Sequence, residues 1–308
     1  MKVRGLERLG LAAVAVALGL TAAAAAVPGH AVPDQIGMQI PVTSVGRYIV
    51  WFHDDILMPI ITIITLFVAA LLIYVMWRFN EKRNPTPSKT THNTLIEVIW
   101  TVVPALLLVV IFVPSLNLIY EQSNYTHRYM TVKVTGHQWY WEYDYPAAKG
   151  VDFTSYPIPD NQIKPGQIAR LSADHPLVLP ANEKIVFKIT SADVLHSFFI
   201  PSLGVQRYAI PGQYWHQWTK IDAPGIYYGE CNQICGMNHD NMPIEIVALP
   251  LKQFKAWLAE AKADAAQGNV PPVRKYEVLA MADAAKKAAS RAQGHIALAS
   301  ATTDETTR

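Results

Sequence analysis

Two long stretches of this chain hold no formally charged side chain, Ile56 to Trp77 and Val98 to Tyr120. Each matches the ~20 residues a helix needs to cross ~30 Å of hydrocarbon, so the pattern predicts two membrane spans. Pro59, Pro104 and Pro114 fall inside them. Prolines are damaging in a water-exposed helix but tolerated in membranes, where neighbouring groups satisfy the freed carbonyls. Between the spans, Arg78, Lys82, Arg83 and Lys89 face only Glu81, and Pro85 and Pro87 stop the helices. This basic bias puts the loop in the cytoplasm and everything after Tyr120 in an exported compartment. A shorter apolar run, Leu9 to about Leu20, follows Lys2, Arg4 and Arg8 and precedes Ala24-Ala25-Ala26. It reads as a signal peptide over residues 1–26, cleaved after Ala26 or, as a weaker choice, after Ala31.

Beyond the second span the periodicity changes. Short alternating or aromatic-rich runs separated by Pro, Gly, Asn and Asp occupy residues 124–250. Strands are expected from Met130 to Val134, Gln138 to Tyr145, Lys184 to Thr190, Trp215 to Lys220, Gly225 to Glu230 and Pro243 to Val247. The breakers leave no room for long helices there, so a compact β-sandwich or barrel is indicated. After Leu251, Phe254, Trp257, Leu258 and Ala261 share one face of a peripheral amphipathic helix; Pro271-Pro272 and an alanine-rich tail, partly disordered by composition, complete residues 251–308. The membrane hairpin accordingly covers residues 27–123.

Composition narrows the function. Among 308 residues, 26 basic against 24 acidic side chains leave a net charge of +2, too weak a field to attract nucleic acid. The chain has only two cysteines, which excludes a disulfide-built scaffold. Both lie in Glu230-Cys231-Asn232-Gln233-Ile234-Cys235-Gly236-Met237-Asn238-His239-Asp240-Asn241-Met242-Pro243, at C-x3-C-x3-H-x2-M spacing. Thiolate, thioether and imidazole together favour copper over magnesium, calcium or manganese. A second thiolate suggests two copper ions bridged by both sulfurs, and a second histidine is then required. His196, at the edge of the apolar segment Val194 to Ile200, is the candidate, because a Greek-key sandwich can return such a strand beside the cysteine loop. A Cys231–Cys235 disulfide, a structural zinc site and a copper-handing thiol pair remain open alternatives, though none explains Met242.

The hairpin, the aromatic Gly136-His137-Gln138-Trp139-Tyr140-Trp141, the Asp193-Val194-Leu195-His196-Ser197 segment and the cysteine loop, in that order, resemble subunit II of haem-copper cytochrome c oxidase over residues 35–250. The resemblance implies a two-helix transmembrane hairpin followed by an all-β cupredoxin-like Greek-key domain with a binuclear CuA centre. Its ligands would be His196, Cys231, Cys235, His239, Met242 and the backbone carbonyl of Gln233. Electrons would pass from cytochrome c to haem a of subunit I, for reduction of oxygen to water coupled to proton translocation. Further oxidase subunits and membrane lipid would be the other partners, in a bacterial inner membrane with the copper domain in the periplasm. Trp139 matches an exposed indole where the electron enters, and Glu97 matches a glutamate at the mouth of a proton path, with His92 a weaker companion. Asp144, Asp152 and Asp193 would help steer a basic cytochrome. A nitrous oxide-reducing enzyme shares the metal loop, but the hairpin argues against it.

Two departures from that family cluster together. Gln233 stands where most members have a glutamate that also helps hold magnesium, and a neutral amide is the weaker ligand for a hard cation. Gln206, Tyr208 and Gln213 replace a lysine, an aspartate and an arginine, with Arg207 between the first two, which implies a rearranged polar network where the family meets subunit I.

Overall fold

The computed structural model describes residues 29–32, 35–86, 88–270 and 276. The signal-peptide reading over residues 1–26 and nearly all of the tail after Pro272 lie outside the described residues.

Thr43 starts the first helix, its hydroxyl oxygen accepting from the Gly46 N–H at 2.9 Å while its O–H donates to the Leu203 carbonyl at 2.8 Å. Helix α1, Ser44–Trp51, runs through a π-helical segment, Phe52–Leu57, into α2, Met58–Arg78. Helix α3 is Thr94–Gln122. The continuous first helix of 35 residues and the second of 29 rise ~50 Å and ~44 Å, more than the ~30 Å hydrocarbon core. Both therefore overrun the charge-free stretches. Charge marks where a helix leaves lipid, whereas helix ends are set by caps, here Thr43 and Asn93. Pro59 lies within the continuous first helix, just after the π-helical segment, and Pro104 and Pro114 sit inside α3.

Ten strands follow: β1 Met130–His137, β2 Tyr140–Asp144, β3 Asp152–Ser155, β4 Leu177–Pro180, β5 Lys184–Ser191, β6 His196–Ile200, β7 Val205–Ala209, β8 Trp215–Lys220, β9 Gly225–Cys231 and β10 Pro243–Leu249. They form two five-stranded sheets, ordered β3-β2-β1-β5-β8 and β4-β10-β9-β6-β7. The pairs β1–β5 and β4–β10 are parallel, and the remaining pairs are antiparallel. Trp141, Tyr143, Phe187, Phe198, Ile189 and Ile200 are fully buried in the core between them. Strands β3, β4 and β7 were not anticipated from the pattern, being only four or five residues long. The strand expected from Gln138 begins instead at Tyr140, because Gln138 and Trp139 form a turn.

Helix α4, Leu251–Ala265, presents the apolar face expected. Phe254, Trp257 and Ala261 are completely buried, and the Trp257 ring lies 5.4 Å from that of Tyr145. That face packs against β4 and β10, while Lys252, Lys255 and Ala256 stay exposed.

The sandwich is also fastened to the hairpin. Val42 N–H donates to Ser202 O at 2.9 Å, Asp222 N–H donates to Val42 O at 3.0 Å, and Arg47 pairs with Asp222. Gly204, at φ +64°, sits so close to Gly46 that an added Cβ would come within 2.9 Å of its backbone. From the other span, Glu121 accepts the Trp218 indole N–H at 2.7 Å through its carbonyl.

Candidate metal centre

The site is built where β6 and β9 pair. Phe198 stands opposite Cys231, which puts His196 at the start of β6 beside the loop leaving β9. The Cys231 N–H donates to Met242 O at 3.0 Å, closing that loop, and Asn232 N–H donates to Ser197 O at 3.2 Å. One ligand atom each from His196, Cys231 and Cys235 lies within 4.8 Å of the others, and all three residues are buried.

Cys231 Sγ is 3.8 Å from His196 Nδ1, 3.3 Å from the Gln233 carbonyl and 3.9 Å from Cys235 Sγ, which in turn lies 3.6 Å from His239 Nδ1. A sulfur separation of 3.9 Å is almost twice the ~2.05 Å of a disulfide, so the cysteines are free thiols. Met242 is buried beside them, whereas His239 is half-buried. The six residues that the family resemblance implies as ligands thus fall in one loop and one strand end.

The supporting residues follow a clear logic. Asp193 Oδ1 lies 2.8 Å from His196 Nε2, and Oδ2 accepts the Gln138 N–H at 2.7 Å. An ionised carboxylate only accepts, so Nε2 carries the proton and the Nδ1 lone pair faces Cys231. Burial pushes the His196 pKa down, outweighing the opposing hydrogen bond to Asp193, so the ring is neutral and available as a ligand. Burial alone would raise Asp193, but hydrogen bonds from His196, Val194 and Gln138 hold it below the usual carboxylate range. Burial, reinforced by the Cys231 thiol, pushes Cys235 up to about 12. That thiol stays protonated until something electropositive takes its place.

Gly136 lets His196 sit against the sheet, since a Cβ there would come within 2.9 Å of the imidazole. The Gln138 side-chain amide donates to the Cys235 carbonyl at 2.7 Å. Gly236, at φ +127°, brings the loop so near Trp139 that a Cβ would lie 3.0 Å from the indole. Trp139 is half-buried, not the exposed indole expected, and its Nε1 is enclosed with no hydrogen-bond partner among the described residues. Asp193 stays exposed, yet its carboxylate contacts His196 and Gln138 as an orienting group, which sequence spacing alone did not reveal. Asp144 and Asp152 stand opposite each other on β2 and β3.

Glu97 is far from this cluster. Its carboxylate accepts the Asn93 N–H at 3.2 Å while Asn93 Oδ1 accepts from Ile96 N–H at 3.2 Å, a reciprocal cap at the start of α3. His92 lies exposed just before it. At the departing segment, Arg207 Nη2 donates to Gln217 Oε1 at 3.0 Å. Gln206 and Tyr208 line a cavity of about 700 Å³ with Met38, Ile49 and Phe199. Gln233 is half-buried, and among the described residues the metal-competent cluster of acidic, thiol and imidazole groups is His196, Cys231 and Cys235 alone.

Two apolar helices long enough to cross a bilayer, joined to a β-sandwich with a buried thiol and imidazole group able to hold a metal, define a membrane-anchored protein with a candidate metal site. Residues 31–118 match the family described as cytochrome C oxidase subunit II, transmembrane domain, and residues 130–249 match cytochrome C oxidase subunit II, periplasmic domain. A probable cytochrome c oxidase subunit 2 from Rickettsia bellii is 42% identical over 237 residues, 77% of this chain and 88% of that protein. Cytochrome c oxidase subunit 2 of Cereibacter sphaeroides is 36% identical over 272 residues, 80% of this chain and 89% of that protein. A crystal structure of the periplasmic domain of subunit II of cytochrome oxidase of Bradyrhizobium japonicum is 38% identical, covering 44% of this chain and 95% of that one at a TM-score of 0.41. The chain belongs to the cytochrome c oxidase subunit II family.

Proposed function

We propose that this chain is the electron-transfer subunit of its oxidase, taking electrons from cytochrome c at a binuclear copper site and delivering them to haem a of subunit I. The observation that carries this reading is the convergence of two free, buried thiols with a neutral imidazole whose lone pair faces them. The donor set fits copper: His196, Cys231, Cys235, His239, Met242 and the Gln233 carbonyl offer soft sulfur and borderline nitrogen, with His196, both thiols and Met242 buried. A copper pair held by these residues would supply a one-electron redox centre.

The protein's own contribution is rigidity. Asp193 fixes the His196 ring, Gln138 holds both Asp193 and the Cys235 carbonyl, and Gly136 and Gly236 allow contacts that a methyl group would block. Trp139, in contact with Gly236, is the route by which the electron enters from the donor side. Copper domain and donor both lie in the periplasm of a bacterial inner membrane, with the basic loop in the cytoplasm. Glu97 and His92, at the cytoplasmic end of α3, stand at the mouth of a proton path. A magnesium ion where the family meets subunit I would find at Gln233 a neutral amide, a weaker ligand for a hard cation than a carboxylate.

The test is electron paramagnetic resonance of the copper-loaded chain. A seven-line hyperfine pattern is expected, lost in Cys231→Ser and Cys235→Ser. A four-line pattern, or a cystine link between those residues in active material, overturns the binuclear reading. Turnover and proton uptake in Glu97→Ala test the proton role, and unchanged rates remove Glu97 from it.

A further inference from the structure

A basic face of the sandwich, remote from the metal loop, is arranged at a cost in sheet stability. Alternation along β5 puts Lys184, Val186 and Lys188 on one side, and along β8 it puts His216, Trp218 and Lys220 on the same side. The register sets Lys184 opposite Lys220, and Lys188 opposite both Lys133 and His216. Like charges directly opposed across strands destabilise a sheet. Arg128, from the segment joining α3 to β1, adds to them: after burial, Lys188 and Arg128 are what push the His216 pKa down.

Acidic neighbours account for only part of this charge. Glu121 faces Lys184, and Asp144 faces Lys133. Among the described residues, no carboxylate comes within 4.0 Å of Arg128, Lys188 or Lys220. Aromatic rings are interleaved with the cations. Lys188 Nζ lies 4.0 Å from the Tyr214 ring centre and Lys184 Nζ 4.4 Å from that of Trp218. Tyr129 and Tyr214 are 43% and 53% exposed.

The position of the face selects the partner. Trp218 and Val186 pack with Val45 of α1 and against Leu118 of α3, and Tyr125 O–H donates to His216 O at 3.0 Å. The face therefore begins where the spans leave hydrocarbon, the depth at which tyrosine, tryptophan, lysine and arginine gather at a bilayer surface. We propose that the face formed by Arg128, Lys188, His216 and Lys220, with Tyr129 and Tyr214 beside it, binds the headgroups of anionic phospholipids in the outer leaflet beside the second span. This rests on the membrane spans and not on the copper reading.

The test is native mass spectrometry of the full chain in neutral detergent, titrated with phosphatidylglycerol or phosphatidylcholine. Phosphatidylglycerol is expected to bind more tightly, its first apparent dissociation constant rising about fivefold for each cation removed in Arg128→Gln, Lys188→Gln and Lys220→Gln. Lys188→Arg with Lys220→Arg should retain the preference. A thermal melt of each variant separates lost binding from lost fold. Equal affinity for the two lipids, or an unchanged preference in the folded triple glutamine variant, overturns the proposal. So does loss of another oxidase subunit from the purified complex while the lipid preference is unchanged, which would assign the face to a protein contact.

Discussion

Asp193→Asn removes one charge from the residue that orients His196, and its effect is calculable from the contacts. The native carboxylate accepts from His196 Nε2, Gln138 N and Val194 N at 2.8, 2.7 and 2.6 Å. An asparagine has one acceptor oxygen, so its NH2 group must confront either the Gln138 N–H or the imidazole N–H. The ring then loses its anchor or flips its tautomer, turning Nδ1 from acceptor to donor where it faces Cys231. Loss of such an orienting partner lowers metal affinity 10- to 100-fold, or about 1.4–2.7 kcal/mol. Copper affinity measured by chelator competition on the full chain checks this. A second readout needs no metal. Because the folded pKa of Asp193 is depressed, its stabilising effect is present above the ordinary carboxylate pKa and lost as pH falls through the lower folded value. Copper-free native protein should thus weaken progressively in acid, and Asp193→Asn should weaken less steeply. Copper affinity within twofold of native in a folded variant would refute the orienting role.

Three further outcomes follow from neighbouring contacts. Gly136→Ala forces a methyl group within 2.9 Å of the His196 ring and 3.1 Å of Trp141; overpacking of ~1–3 kcal/mol should lower the melting temperature by roughly 2–12 °C and distort the copper spectrum. Cys235, with its pKa at about 12, is about one part in ten thousand thiolate at pH 8. Alkylation of copper-free native protein should be slow there and fast after denaturation. The same raised pKa makes copper-free stability full below the unfolded thiol's 9.0 and lost as pH rises toward about 12, which alkaline melts would show. Trp257→Ala, emptying a fully buried position on α4, should cost ~3–5 kcal/mol and lower the melting temperature by roughly 6–20 °C without changing the copper spectrum.

The legibility of this protein was uneven for physical reasons. Uncharged runs of 20 or more residues admit few interpretations, so the spans were readable, though capping by Thr43 and Asn93 carries both helices past them. Strands β1, β5 and β8 are long or strongly alternating and were found, but β3 and β4 are four residues each and lack a measurable period. The metal loop was conspicuous because thiols and thioether fall within 12 residues of one another. His196, distant in sequence, needed the sandwich to bring it home. The roles of Asp193 and Gln138 depend on side-chain direction in a turn, information that spacing does not contain. Helix α4 showed its apolar face in the pattern, but not that β4 and β10 are what it packs against.

The sandwich is attached to its hairpin twice, through Thr43, Arg47 and the Gly46–Gly204 contact on one span and through Trp218 on the other. In the proposed electron-transfer role, these contacts from both spans would set the gap between the copper loop and the membrane partner. Under such an arrangement, lengthening the segment between span and sandwich would blur that gap.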